Sequence, residues 1–349
     1  MNAFATKVGI QLPIVQGPFG GGLSSVTLAA AVSNAGGLGS YGAHHLAPEE
    51  IRELVRELRA ETRSPFNINL WVSRYDPGAE VMTQEHHAAG LRQFAAIYER
   101  LGIEAPPLEP AEAFTFEQQV EAVLEARPAV FSFVFGIPEQ DVLRECGRRG
   151  MVTMGAATTV DEAVALDEAG VDVIVATGSD AGGHRPSFLR AAEDSLTGTM
   201  SVVPQVRRLT KRPLVAAGGI ADASGVRAAL ALGADAAQIG TAFLACEESG
   251  CSVLHREALF SPAALRTKLS RHFTGRLARF IATPMLEELE SCGHAALPFP
   301  MQSWFAGPLK VEAKRTGNPS LMPLYSGQAA GLLMHRRAED LMKELLAEL

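Results

Sequence analysis

The stretch PLVAAGGIADASGVRAALALGADAAQIGTAF, Pro213–Phe243, decides the fold. It opens on the almost wholly apolar run Pro213–Ala217, too short for a helix and with no polar face. A run of this kind fits a parallel-sheet strand that is covered on both faces. Gly218 and Gly219 interrupt it, Ala223–Leu232 reads as a helix, and a second apolar run, Ala236–Gly240, ends in another glycine loop at Gly240 and Thr241. Strand, loop, helix and strand in that order form one βα unit and the start of the next.

The same rhythm extends outward toward the N-terminus. Further strand candidates are Leu12–Gln16, Gly37–Ser40, Phe66–Leu70, Val130–Phe135, Met151–Gly155 and Val171–Ala176. Helical patterns cover Ser24–Asn34, Pro48–Glu61, Ala79–Leu101, Phe116–Ala126, a segment after Pro138, one from Thr159, and Val202–Leu209. Pro106, Pro107 and Pro110 mark a surface turn. The pattern predicts an α/β protein, a (β/α)8 TIM barrel, with a doubly wound open sheet as the alternative. The rhythm changes near Glu247. Residues 247–319 are expected to be a mainly helical insertion after strand eight, a lid or substrate domain over the C-terminal mouth. The barrel then comprises 1–246 and 320–349, with a last helix in Ser326–Leu349 packed against its wall.

Composition narrows the function classes. The chain has 349 residues, 47% hydrophobic and 20% charged, which suits a folded protein with a large core. With 31 basic against 39 acidic residues the net charge is -8, so no nucleic-acid partner is expected. Cys146, Cys246, Cys251 and Cys292 form no CxxC pair and read as buried thiols of a reducing compartment. The N-terminal stretch has no long apolar core, and no apolar run approaches a membrane span. A cytoplasmic protein without a membrane partner is expected.

Residues at the C-terminal ends of barrel strands face the site of such folds. Gly218–Gly219 and Gly240–Thr241 are paired loops that permit close backbone approach and can aim N–H groups at a phosphate. After strand six comes TGSDAGGHR, Thr177–Arg185: Gly182 and Gly183 let the backbone turn under a planar ligand, and His184 projects into the mouth. An imidazole there can act as a base toward a carbon acid or, protonated, hold an anion. Asn69 and Gln16 end strands three and one with amides suited to a heterocycle edge. Gln328, in SGQAAG, reaches the mouth if the last helix returns to it. His44, His45, His86 and His87 read as solvent-facing or supporting, and no metal site is expected because no spaced carboxylate–histidine set accompanies them. A basic helix over Lys268, Arg271, Arg276 and Arg279 is either a face for an anionic partner or a solvated face paired with neighbouring carboxylates. The chain lacks a GxGxxG fingerprint after its first strand and a GxxxxGK[ST] loop, which argues against dinucleotide and nucleoside-triphosphate folds of those types.

PIVQGP, VSNAGGLGSYGA, the Asn69 strand, GSDAGGHR, AAGGIADASG, LGADAAQIGTAFLACEES and SGQAAG together resemble the nitronate monooxygenase family, once called 2-nitropropane dioxygenases. They occur in the family's order and span most of the chain. The resemblance implies a TIM barrel that binds FMN non-covalently and oxidises alkyl nitronates, or nitroalkanes, with O2 to carbonyl compounds and nitrite. It implies that His184 is the active-site base. Gln16, Gly17, Pro18, Phe19, Asn69, Thr177, Gly182, Gly183, Gly218, Gly219, Gln238, Ile239, Gly240, Thr241 and Gln328 become the expected FMN contacts, with the Gln238–Thr241 strip at phosphate and ribityl. Related flavin-dependent enoyl-acyl carrier protein reductases, which use NAD(P)H, share this arrangement and are the alternative. The chain departs from the family pattern at Phe19, where methionine is usual, and at Thr177, where glutamine is usual. It departs again at Asp180, where glutamate is usual, and at FIATP after the TGRLAR segment.

Overall fold

The computed structural model describes residues 2–108 and 114–347. Met1, Pro110 of the expected proline turn, and Glu348 and Leu349 of the expected last helix lie outside the described residues. In chain order the strands are β1 (Ile14–Gln16), β2 (Gly39–Gly42), β3 (Phe66–Trp71), β4 (Val130–Val134), β5 (Val152–Ala157), β6 (Val173–Thr177), β7 (Gly183–His184), β8 (Leu214–Ala217), β9 (Ala236–Ile239), β10 (Thr267–Ser270) and β11 (Ala278–Ile281). Eight of them form one parallel sheet in the order β1-β9-β8-β6-β5-β4-β3-β2. A parallel bridge between Val15 and Leu38 brings the two edges together, so the sheet closes into the expected barrel. An open doubly wound sheet would keep those edges apart.

Strand alternation sorts the core into two layers. Val15, Val130, Met154, Val173, Val175 and Val215 share the cluster that fills the barrel. Ile14, Ile68, Phe131, Ile174, Leu214 and Ile239 belong to the cluster under the surrounding helices. The helix Pro48–Glu61 shows how local sequence builds that outer ring. Pro48 stands at its first position, the Glu50 carboxylate accepts from the Ala47 N–H at 2.7 Å, and Ile51, Leu54, Val55 and Leu58 form its buried stripe. A short helix that the sequence pattern did not indicate, Ala3–Val8, contributes Phe4 and Val8 to the barrel-filling cluster.

Residues 247–319, expected to be mainly helical, combine helices with a short sheet. Helices Val253–Leu259, Pro284–Ser291 and Met301–Thr316 accompany an antiparallel sheet in the order β10-β11-β7. The basic stretch expected as a helix is instead the β10–β11 pair, with Lys268 opposite Phe280 and Leu269 opposite Arg279. Cross-strand pairing and burial of Ala278–Ile281 override its helical spacing. This segment shares an apolar cluster with the helix Gln84–Leu101, through Phe94, Ile97 and Tyr98 against Phe305 and Leu309. The terminal run is also broken: Gln328–Leu332 is a 3-10 turn, and the last α-helix begins only at Ala338. Cys146, Cys246 and Cys251 are buried free thiols, whereas Cys292 is half-buried. Among the described residues no helix is long and apolar enough to cross a membrane.

Candidate active site

A cavity of about 670 Å³ opens at the C-terminal mouth of the barrel. That lies within the range of small-molecule and cofactor sites, about 300–1,000 Å³. Its wall brings together Gly17, Pro18, Phe19, Asn69, Thr177, Gly182, Gly183, His184, Gly218, Gly219, Gln238, Gly240 and Thr241. Three other nominated residues stand apart. Gln16 is buried in the barrel, where its carbonyl oxygen accepts from the Ser40 N–H at 2.8 Å and its amide donates to the Gly17 carbonyl. Ile239 belongs to the layer beneath the helices. The Gln328 side chain is exposed outside the cavity wall, although its backbone N–H donates to the Asp180 carbonyl at 3.0 Å.

One side of the cavity is a cradle of backbone. Gly218 and Gly219 adopt φ of 109° and 70°, a conformation that L side chains rarely take. The N–H groups of Gly218, Gly219, Gly240 and Thr241 donate to no other backbone group among the described residues. They point to a ligand with acceptor oxygens, since unpaired amides are costly unless something satisfies them. The C-terminal segment closes in from above: the Gly327 N–H donates to Thr241 Oγ1 at 2.9 Å. A Cβ on Gly182 would stand 2.5 Å from the Gly327 nitrogen, so this approach requires glycine. Asn69 donates its amide to Ser132 Oγ at 2.9 Å, and Thr177 sits at the end of β6 with its hydroxyl near the Val175 carbonyl.

His184 lines the same cavity and sits in a box of rings. Trp71 lies edge-on at 5.1 Å between centroids, Tyr325 is at 5.7 Å, Phe299 at 6.2 Å and Phe135 at 6.4 Å. Its backbone belongs to β7, paired with β11 so that His184 faces Ala278, and the Arg185 N–H donates to the Leu277 carbonyl at 2.8 Å. The late segment therefore grips the loop that carries the histidine. Burial, with the positive charges of Arg276 and Lys310 nearby, brings the His184 pKa down to about 3, so the free imidazole is neutral near pH 7.

Several wall residues were missed by sequence reading. His44 lines the cavity instead of facing solvent: its ring stacks on Trp71 at 3.8 Å, and its buried Nδ1 has no hydrogen-bond partner among the described residues. Burial first, then His45, His184, Arg74 and Arg276, hold its pKa well below the usual value. Trp71 had a legible signal. It lies two residues beyond Asn69 on the same strand face, and β3 extends one residue further than its expected end at Leu70. Thr274, Phe299 and Lys310 come from the late segment and Tyr325 from the chain just after it, and none had a local signal. Lys310 enters no ion pair among the described residues, and its ammonium is pushed down by burial and by Lys314.

The four basic residues of the β10–β11 region are already engaged. Lys268 pairs with Glu290, Arg271 with Glu193 at 2.7 Å, and Arg276 with Asp76 at 2.7 Å, while Arg279 donates to the Ser179 carbonyl at 2.8 Å. Lys268 and Arg271 are thus neutralised by carboxylates as partly exposed pairs, while the charge of Arg276 still acts on His184. Among the described residues no three His, Cys, Asp or Glu side chains are grouped so as to hold a metal ion.

The nitronate monooxygenase family model matches residues 2–348. A nitronate monooxygenase of Pseudomonas aeruginosa is 39% identical over 352 residues, covering 100% of this chain and 99% of the relative. Among solved structures, a nitroalkane oxidase from Streptomyces ansochromogenes superposes with a TM-score of 0.90 at 35% identity, covering 99% of this chain and 97% of that one. FabK from Thermotoga maritima is similar at a TM-score of 0.75 and 27% identity, covering 100% of this chain and 96% of that one. With a glycine cradle and a half-buried, neutral histidine lining one cavity at the barrel mouth, and with relatives matched over nearly their whole length, the chain belongs to the nitronate monooxygenase family.

Proposed function

We propose that the protein is an FMN-dependent monooxygenase that oxidises alkyl nitronates with O2 to carbonyl compounds and nitrite, and accepts neutral nitroalkanes where His184 deprotonates them. The observation that carries this reading is the cavity itself. It brings His184 and four backbone N–H groups that have no backbone partner among the described residues into one wall. The residues present fit FMN: Gly218, Gly219, Gly240 and Thr241 would hold its phosphate, and Asn69, Gly182 and Gly183 would lie along its ring. When bound, the flavin supplies the electron transfer between substrate and O2.

The chain's own residues bind, orient and move a proton. Arg276 and Lys310 give the histidine end of the cavity a positive field suited to an anionic nitronate. Trp71, Phe299 and Tyr325 exclude water from it and strengthen every charge interaction inside. With a neutral nitroalkane, His184 takes the proton from the carbon that bears the nitro group. Its low resting pKa reflects desolvation and the neighbouring positive charges, and the negative charge developing on the substrate raises its basicity as the proton moves.

Oxygen uptake with nitrite release from propionate 3-nitronate and several alkyl nitronates, measured on flavin-loaded protein, tests the proposal. Turnover is expected, and its absence with all of them would overturn it. The likeness to FabK motivates one control: anaerobic addition of NADH or NADPH. Flavin that stays oxidised supports the nitronate reading. Rapid bleaching would instead favour a nicotinamide-dependent enoyl-thioester reductase.

A further inference from the structure

We infer that Thr274 fixes the tautomer of His184, making Nδ1 the nitrogen that accepts the substrate proton. The inference rests on the reading of His184 as the base and adds a positioning residue to it. His184 Nε2 lies 3.0 Å from Thr274 Oγ1. A hydroxyl has one hydrogen, and Thr274 gives it to the Arg276 carbonyl, also at 3.0 Å. Oγ1 can then meet the ring only as an acceptor, so Nε2 carries the hydrogen. The neutral ring is the Nε2–H form, and its remaining lone pair is on Nδ1, on a side chain that lines the cavity.

Turning the hydroxyl toward Nε2 would strip the Arg276 carbonyl of its donor, in a place where Thr274 and Arg276 are both buried. The threonine cannot easily drift to relieve this. Its N–H donates to the Arg271 carbonyl at 3.1 Å, the Gly275 N–H donates to the same carbonyl at 2.7 Å, and the Gly275 carbonyl accepts from the Arg271 guanidinium at 3.0 Å. Because β11 pairs with β7, one late segment sets both the backbone and the ring protonation of His184.

In the step so assigned, the C–H bond beside the nitro group breaks and its proton passes to Nδ1. The bonding pair stays on the substrate, delocalised over carbon and the nitro oxygens, and the ring becomes imidazolium with Nε2–H still donated to Thr274. No electron leaves the substrate at this stage. A preformed nitronate bypasses the step.

The test is a two-bond nitrogen–proton spectrum of histidine-labelled, flavin-loaded enzyme, with the His184 signals identified by their loss in His184→Gln. The expected result is a protonated Nε2 and an unprotonated Nδ1 in the native protein. Thr274→Val should shift the ring toward a tautomer mixture and lower kcat on a neutral nitroalkane by about tenfold or more. Turnover of the matching preformed nitronate should fall less than that of the nitroalkane, so that the ratio of the two rates drops, and Thr274→Ser should restore both the spectrum and the ratio. A native ring protonated on Nδ1 would overturn the inference. So would a Thr274→Val enzyme with the native spectrum and an unchanged nitroalkane-to-nitronate ratio. If Thr274→Val does not fold, the native and Thr274→Ser spectra decide it. The spectrum reports on the ring whether or not substrate turns over, so failure of nitronate oxidation would remove the functional reading alone.

Discussion

Two desolvated histidines of this molecule are governed by the same force and do different things. His184 lines the cavity, and its replacement by asparagine removes the base while leaving the glycine cradle intact. Turnover of neutral nitroalkanes should fall by about a hundredfold or more, the usual contribution of a positioned base, while preformed nitronates lose little. Parallel losses on the two substrate forms would show that His184 does something other than take a proton. His255 is the second case. Its Nε2 lies 2.9 Å from the Tyr325 carbonyl, and burial, only partly opposed by that hydrogen bond, lowers its pKa to about 4. The unfolded value is about 6.5, so above that pH both states are neutral and no penalty exists. As pH falls from about 6.5 toward 4 the unfolded chain takes up a proton that the native state refuses, and stability drops. His255→Gln retains a donor without the titration. Urea midpoints should therefore fall less steeply between pH 6 and 4 than in the native protein, and an identical slope would contradict this account.

Among the elements, the β7–β11 pairing matters most to function, because it ties the histidine loop to a segment about ninety residues away in sequence. Arg276 anchors that segment. Its guanidinium pairs with Asp76 at 2.7 Å, donates to the Ser73 carbonyl at 2.8 Å, and lies over the Phe135 and Phe299 rings at 4.2 and 4.6 Å. Arg276→Met keeps the stem but abandons the Asp76 carboxylate, which is only partly exposed. A loss of about 3 kcal/mol in unfolding free energy is expected, measured by urea denaturation. The nitroalkane-to-nitronate activity ratio should change as well, since His184 loses a neighbouring charge. A variant with native stability would mean that this pair is no more than a surface ion pair. Sequence reading took the region for a helix because spacing alone cannot register a partner strand. Its charges were legible, but their carboxylate partners were not.

At the scale of the whole molecule, the cradle couples cofactor occupancy to stability. A ligand present at one hundred times its Kd stabilises the native state by about 2.7 kcal/mol. FMN should therefore raise the thermal midpoint of the native protein. Gly219→Val should abolish that increment, because Gly219 holds φ of 70° with Asp180 Cβ only 3.3 Å from the place a Cβ would take. An equal FMN-induced shift in the variant would move the phosphate site elsewhere. The barrel itself was legible residue by residue. Parallel strands are buried on both faces and leave uniform apolar runs, the glycine loops punctuate them, and the ring helices show a 3.6-residue stripe. The loops at the strand ends were legible for the same reason: their position follows from the strands. What the linear order could not contain is the second side of the cavity. Whether His44 faces solvent or stacks on Trp71, which carbonyl claims the Thr274 hydroxyl, and whether Arg276 is free or paired all depend on contacts between segments far apart in the chain. Periodicity reports only the face a residue turns toward its own element's neighbours. Which distant residue it meets there, and therefore its protonation and its chemistry, was settled only when the barrel closed and the late segment came down over its mouth.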